Sequence, residues 1–385
     1  MLNNEWQDIV INGKKLEEFS AVSDMGQYKI QVNLEILEGC SYMCPGCFVK
    51  RKGNWNPNSI ATFHSLAYEL KDRTDIVLDD IVIGPTDFYG AQNLEEIINN
   101  PRLADAILMM PKDNRNVQHN CSILGSLSEE DIDGKIKAIE NSPLGKAVEA
   151  WDVQIALDLN RLMNDIVYME ALDKRIETFK RSSLNFEISM ATNIVQGVED
   201  ILFAAIEFVR NKYETVIEVL PSVVRSFNNS AKHGDKLFEW NDMLTRLASD
   251  PHKFKNKFHF LQGDVSHKAF HYSVISIYHG DMYLSPFIYE NAQIHTDDFK
   301  VNNGWMWLPD ADIVDYILDK KNEIVNSQIE KSKEKECGSC KYLNICANRM
   351  VPMIMDTVFD GRKECILNKD VIGLYDDEVY HGNSY

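Results

Sequence analysis

Eight cysteines stand at positions 40, 44, 47, 121, 337, 340, 346 and 365, and seven of them fall into two groups. The first, Cys40-Ser-Tyr-Met-Cys44-Pro-Gly-Cys47, has the spacing C-x3-C-x2-C. Three thiolates hold three irons of a 4Fe–4S cube and leave the fourth iron without a protein ligand, which is what a substrate-binding cluster needs. A zinc knuckle on the same cysteines would need a fourth ligand close by, and the nearest histidine is His64, inside an expected helix. The second group, Cys337-Gly-Ser-Cys340 with Cys346 and Cys365, supplies four thiolates. Four complete either a fully ligated 4Fe–4S cluster or a structural zinc, and spacing alone does not choose. Cys121 stands apart and reads as a small buried apolar residue.

The balance of the chain bounds what those cysteines serve. Its 385 residues are 44% hydrophobic and 26% charged, with 10% aromatics. Such a chain folds as a globule, and its length suits a large α/β unit with an appendage. No run approaches the roughly 20 apolar residues of a membrane span. The opening residues, MLNNEWQDIVINGKK, lack the pattern of a signal peptide. A cytoplasmic location with no membrane partner is therefore expected, where grouped cysteines mark metal rather than disulfides. Lys+Arg at 40 against Asp+Glu at 59 gives a net charge of −19, which repels polyanions, so nucleic acid is not an expected partner.

The elements that must position the cysteines follow from periodicity. Asn12-Gly13 between short apolar runs signals a hairpin within residues 8–19. The alternating stretch Tyr28–Leu37 reads as a strand running straight into Cys40. Helical pattern follows at 59–73, and the alternation then repeats. Strands are expected at 80–83, 116–124, 152–157, 186–190 and 215–220, with helices at 94–99, 129–140, 167–180 and 198–212 between them. Strands alternating with helices argue for a parallel sheet with helices outside it. Six such units span about 200 residues, near the roughly 31 residues per unit of an eight-fold barrel. Farther on, a helix is expected at 237–248, a hairpin within 272–289 turning at Gly280-Asp281, and a charged helix at 310–333.

The C-x3-C-x2-C run just after an apolar strand resembles the signature of the radical S-adenosylmethionine (SAM) superfamily. The resemblance implies a partial (β/α)6 TIM-like barrel over residues 28–235, preceded by a hairpin extension, 1–27. Residues 236–385 would form a small cysteine-rich α+β auxiliary domain. It implies that Cys40, Cys44 and Cys47 bind a 4Fe–4S cluster whose open iron is chelated by SAM. Reductive cleavage of SAM would then give methionine and a 5′-deoxyadenosyl radical that abstracts hydrogen from a substrate. The family's aromatic residue before the third cysteine is replaced by Gly46, and Phe48 stands in as the adenine contact. Gly84-Pro85-Thr86-Asp87 lies where the family carries its Gly-Gly-Glu-Pro motif, which maps the carboxylate facing the SAM ammonium onto Asp87, with Gly84 and Thr86 as neighbours. Asp158 and Asn193, after the fourth and fifth strands, match further polar positions near SAM.

The C-terminal cysteines resemble a shortened SPASM domain. The family's next cysteine would fall on Met350, and no cysteine lies between 121 and 337. The resemblance thus implies one auxiliary 4Fe–4S cluster on Cys337, Cys340, Cys346 and Cys365, serving as a staple or an electron relay. Relatives of this type modify peptides or proteins, so a peptide is the leading substrate. A small metabolite, such as a sugar or nucleotide derivative, is the alternative, and a non-catalytic metal-binding scaffold the second. A flavodoxin or ferredoxin would supply electrons.

Overall fold

The computed structural model describes residues 10–11, 14–15, 28–39, 56–74, 76–123, 129–194, 199–213, 217–221, 272–284, 300–301, 313–340 and 343. A two-stranded ladder, β1 (Val10–Ile11) and β2 (Lys14–Lys15), flanks the Asn12-Gly13 dipeptide, as the turn chemistry predicts. The main body is a mixed α/β unit. Its chain runs β3 (Tyr28–Glu35), α1 (Pro57–Leu70), β4 (Ile76–Asp87), α2 (Leu94–Ile98), α3 (Pro101–Leu108), β5 (Asn116–Ser122), α4 (Glu129–Asn141), α5 (Pro143–Ala147), β6 (Ala150–Leu157), α6 (Leu159–Asn164), α7 (Ile166–Arg181), β7 (Phe186–Ile194), α8 (Glu199–Tyr213) and β8 (Ile217–Pro221). Then come the hairpin strands β9 (Tyr272–Tyr278) and β10 (Asp281–Tyr283), and α9 (Ile313–Ser332).

One eight-stranded sheet has the order β10-β9-β3-β4-β5-β6-β7-β8. Every pairing from β9 to β8 is parallel, and only β10 runs antiparallel to its neighbour. From β3 to β8 the strand order follows the chain order. Right-handed crossovers in that order place all the connecting helices on one face. The hairpin expected with the C-terminal region is hydrogen-bonded to β3 through β9, so it extends this same sheet. Its turn falls at His279-Gly280, one residue before the expected position, because both carry positive φ, 52° and 88°. Two consecutive left-handed residues are what a tight hairpin turn requires.

The helix-covered face holds the core. Ile30, Val32 and Leu34 of β3, Ile81 and Ile83 of β4, and Trp151, Val153 and Ile155 of β6 are fully or almost fully buried. Helix α1 forms because Asn56 caps the Asn58 amide and Pro57 suits the first turn. Its inward residues Ile60, Phe63, Leu66, Ala67 and Leu70 recur at helical spacing. Truncating Phe63 to Ala would cost about 3–5 kcal/mol. Short helices α3, α5 and α6 were not legible as separate elements. Asn100, Ser142 and Asp158 each start one of them by accepting a backbone amide. The expected helix at 237–248 lies outside the described residues.

Candidate active site at the carboxyl edge of the sheet

Strand β3 ends at Glu35, paired with Gly84 of β4. The next four residues carry the chain toward Cys40 and are held from several sides. The Ile36 and Leu37 amides both donate to the Gly84 carbonyl at 3.0 Å. The Asn93 side chain donates to the Ile36 carbonyl at 2.9 Å and accepts the Glu38 amide at 2.8 Å. The Gln92 amide donates to the Glu38 carbonyl at 2.8 Å, and Thr86 Oγ1 donates to the Gly39 carbonyl at 3.3 Å. Gly39 sits at φ +63°, and a Cβ there would lie 2.7 Å from the Gln92 side chain. The last residue before Cys40 therefore takes a conformation that glycine adopts without strain. Residues 40–55, including Cys40, Cys44, Cys47 and Phe48, lie outside the described residues.

Of the anticipated SAM-binding residues, Gly84, Thr86 and Asp87 are brought to this same edge. A Cβ added at Gly84 would meet no atom of the described residues within 4 Å, which leaves room among them beside the backbone at that point. Asp87 is buried. Its Oδ1 accepts the Gly90 amide at 2.6 Å and its Oδ2 accepts the Ser122 amide at 2.5 Å. Burial pushes its carboxyl up to about 7, opposed by those two amides and by the positive charges of Arg175 and Lys135. Asp158 is half-buried and caps α6 by accepting the Arg161 amide at 3.1 Å. Asn193 is registered against Leu220 on the neighbouring strand near the end of β7.

Beneath this edge lies a polar cluster within the core. Arg175, 3% exposed, donates through Nη1 to Cys121 Sγ and to the Ser122 carbonyl, each at 3.2 Å. Lys135 Nζ donates to the Tyr89 carbonyl. The Tyr89 hydroxyl meets His119 Nε2 at 3.0 Å, and the rings of Phe88 and Trp151 pack against the His119 imidazole. Desolvation pushes the Tyr89 phenol well up and lowers His119 to about 3, so the imidazole is neutral. Cys121 is fully buried, as its isolation suggested.

Sequence reasoning passed over Asn93 and Arg175. Arg175 left a signal, because it interrupts an apolar helical stripe of Tyr168, Leu172, Ile176 and Phe179. Asn93 left none, since Asn before Leu-Glu-Glu reads as a helix cap.

The sheet's second face is polar. Alternation along β3 places Lys29, Gln31, Asn33 and Glu35 there. Register then adds Gln118 and Asn120 of β5, Asp152 and Gln154 of β6, and Glu187 and Ser189 of β7. Among these positions the one cation, Lys29, lies toward the amino edge and pairs with Asp79 at 2.9 Å.

In the C-terminal region, α9 is anchored by buried Ile324, Gln328 and Ser332 and leads into a 3-10 turn, Glu336–Ser339. Cys337 lies in that turn and Cys340, half-buried, follows it, while Cys346 and Cys365 lie outside the described residues. Among the described residues no three His, Cys, Asp or Glu side chains converge as a metal site. None of the described helices is long and apolar enough to cross a membrane.

No protein-family model matches the chain, and no curated protein matches it. Solved structures do. A polyhistidine-tagged anSMEcpe with bound AdoMet superposes with a TM-score of 0.51 and 12% identity, over 92% of this chain and 96% of that one. At that identity the likeness is one of fold. Native anSMEcpe with bound AdoMet gives 0.47 at 11% identity, over 92% and 96% of the two chains. Streptococcus suis SuiB bound to the precursor peptide SuiA gives 0.46 at 11% identity, over 86% and 73%. These two scores are too low to carry an argument.

Proposed function

We propose that this chain is a radical SAM enzyme acting on a peptide or protein. Cys40, Cys44 and Cys47 would ligate a 4Fe–4S cluster in the loop after β3, with SAM on its open iron. The observation that carries this reading is the placement of the C-x3-C-x2-C run. In the sequence it begins five residues after Glu35, where β3 ends at the carboxyl edge of a mostly parallel sheet, the edge at which α/β folds of this kind place their chemistry. The fold is shared with an AdoMet-bound protein, which supports the same reading. The donor set fits the group, since three thiolates leave one iron open, and the space beside Gly84 adjoins the path to Cys40. Bound there, the cluster and SAM supply a 5′-deoxyadenosyl radical for hydrogen abstraction.

The chain's own residues have separate tasks in this proposal. Gly84, Thr86 and Asn93 hold the approach to Cys40. Asp87 fixes the β4 and β5 loops and offers its remaining lone pairs to the SAM ammonium. Asp158, Asn193 and Phe48 complete the SAM contacts. The sheet, open among the described strands, would form a partial barrel around SAM, with its polar face turned to the substrate. The C-terminal cysteines would hold one auxiliary 4Fe–4S cluster in a SPASM-like domain, and a flavodoxin or ferredoxin would reduce the enzyme.

The polar sheet face favours a peptide over a phosphorylated metabolite. Amides at Gln31, Asn33, Gln118, Asn120 and Gln154 match peptide groups, which both donate and accept. A sugar phosphate or nucleotide would call for Arg or Lys, and among the described residues of that face Lys29 is paired with Asp79 and Lys300 with Asp281.

Anaerobic reconstitution tests the core of this reading. About eight irons per chain are expected from two four-iron clusters. The triple Cys40→Ala, Cys44→Ala, Cys47→Ala variant should keep about four and lose SAM cleavage. A triple variant that still formed 5′-deoxyadenosine would overturn the assignment.

A further inference from the structure

The polypeptide leaves β3 with buried peptide groups, and its registered pairing with β4 ends at Glu35 and Gly84. Ile36 is 1% exposed and Leu37 3%. Buried amides and carbonyls in such a segment need partners other than water. Gly84 satisfies two of the amides and is the last β4 residue registered against β3. Beyond that point the ladder-like bonds on this side come from a side chain, and the Glu38 carbonyl is met by the Gln92 amide. The Asn93 carboxamide bonds the carbonyl of Ile36 and the amide of Glu38, which are the two groups that a parallel neighbouring strand would bond. It acts as a one-residue continuation of the ladder.

A second observation shows where this side chain is used. Asn93 occupies the N-cap position of α2, where Asn ordinarily accepts an amide of the first turn. Here it makes no cap bond. Its side chain turns away from its own helix and clamps residues 36–38. Gln92, the residue before it, fixes the Glu38 carbonyl, so the pair Gln92-Asn93 holds both sides of the Glu38 residue.

We infer that Asn93 is a positioning residue for the cysteine loop: its carboxamide sets the path of residues 36–39 and with it the point from which Cys40 is presented. The inference rests on the proposed role of Cys40 as a cluster ligand. Asn93 touches neither cluster nor SAM in this scheme and works through the backbone before Cys40.

The experiment combines a cofactor-free readout with a spectroscopic one. In apo-protein, hydrogen exchange of the Glu38 amide should accelerate at least tenfold in Asn93→Ala. It should remain slow in Asn93→Asp, which keeps the acceptor and loses only the donor to Ile36. In reconstituted protein, the reduced Asn93→Ala enzyme should show a changed electron paramagnetic resonance spectrum and a weakened spectral response to SAM. Asn93→Asp should fall between it and the parent. Wild-type Glu38 protection and a wild-type spectrum in Asn93→Ala would overturn the inference. If Asn93→Ala does not fold, Asn93→Asp carries the test, and a wild-type spectrum in that variant overturns it. The two possible failures are distinguishable. A triple cysteine variant that keeps all its iron refutes the cluster assignment, whereas an indifferent Asn93 beside an iron-depleted triple variant refutes only the clamp.

Discussion

Asp87 Oδ2 accepts the backbone amide of Ser122 at 2.5 Å, tying the end of β4 to the end of β5. With Oδ1 on the Gly90 amide, one carboxylate serves two buried donors. Asp87→Ala leaves both without their partner, at about 1–3 kcal/mol each. Urea unfolding of the apo-protein should show that loss. The proposed contact to the SAM ammonium predicts a further effect in folded enzyme, a roughly 10- to 150-fold weaker SAM affinity. Lost stability with an unchanged SAM dissociation constant would leave Asp87 its structural role alone.

Gly39→Ala separates backbone strain from crowding. At φ +63° a residue with a Cβ is strained by roughly 1–2 kcal/mol. The added Cβ also meets the Gln92 side chain at 2.7 Å, but that chain is flexible and can move. Gly39→Ala should therefore lower stability, and adding Gln92→Ala should recover little of it. Full recovery in the double variant would show crowding as the cause.

His119 should govern part of the acid sensitivity. Its folded value of about 3 lies below the unfolded 6.5, because the buried ring resists charging. Between those values the unfolded chain binds more protons, so this group's contribution to stability grows as pH rises to about 6.5 and is flat above. Asp87 acts in the opposite sense. Its raised value makes the fold bind more protons between about 4 and 7, so its contribution falls as pH rises. A His119→Phe variant keeps the Asp87 component. Urea unfolding from pH 5 to 8 should show it losing less stability toward acid than the parent, although it forfeits the Tyr89 hydrogen bond at every pH. Parallel curves would exclude His119 as the acid-labile group.

The order of strands and crossover helices was legible because apolar alternation and helical periodicity are local signals. The longer reach of β4, from Ile76 to Asp87, was not, since Asp79-Asp80 and Gly84-Pro85 read as breaks. The structure absorbs Asp79 and Asp80 at an irregularity opposite Gln31. Parallel pairing of β9 with β3 joins residues more than two hundred positions apart, and no local pattern encodes such a contact. The cysteine spacing carries the proposed cluster chemistry in the sequence itself, as a local pattern. Asn93 and the tie Asp87 makes to the Ser122 amide were not legible, because both act through backbone groups whose neighbours only the fold creates.

The C-terminal cysteines carry the last prediction. Cys337 lies in the 3-10 turn and Cys340 just after it, a few residues beyond α9, whose Gln328 and Ser332 are buried, so half of the proposed ligand set follows closely on an anchored helix. Cys346 and Cys365 must complete it, and Cys365 closes the loop that begins after Cys346. Cys365→Ala should open one coordination site, reduce the iron bound at this end and lower stability, as loss of a structural metal does. If the auxiliary cluster is a staple, any folded Cys365→Ala protein should cleave SAM normally with either dithionite or a protein donor. If it relays electrons, the dithionite-driven reaction should persist while turnover with flavodoxin or ferredoxin falls. The staple is favoured, because this sequence lacks the cysteines of an inner cluster that would bridge the gap to SAM. Selective loss of protein-driven turnover would reverse that preference, and full retention of iron in Cys365→Ala would remove Cys365 from the ligand set.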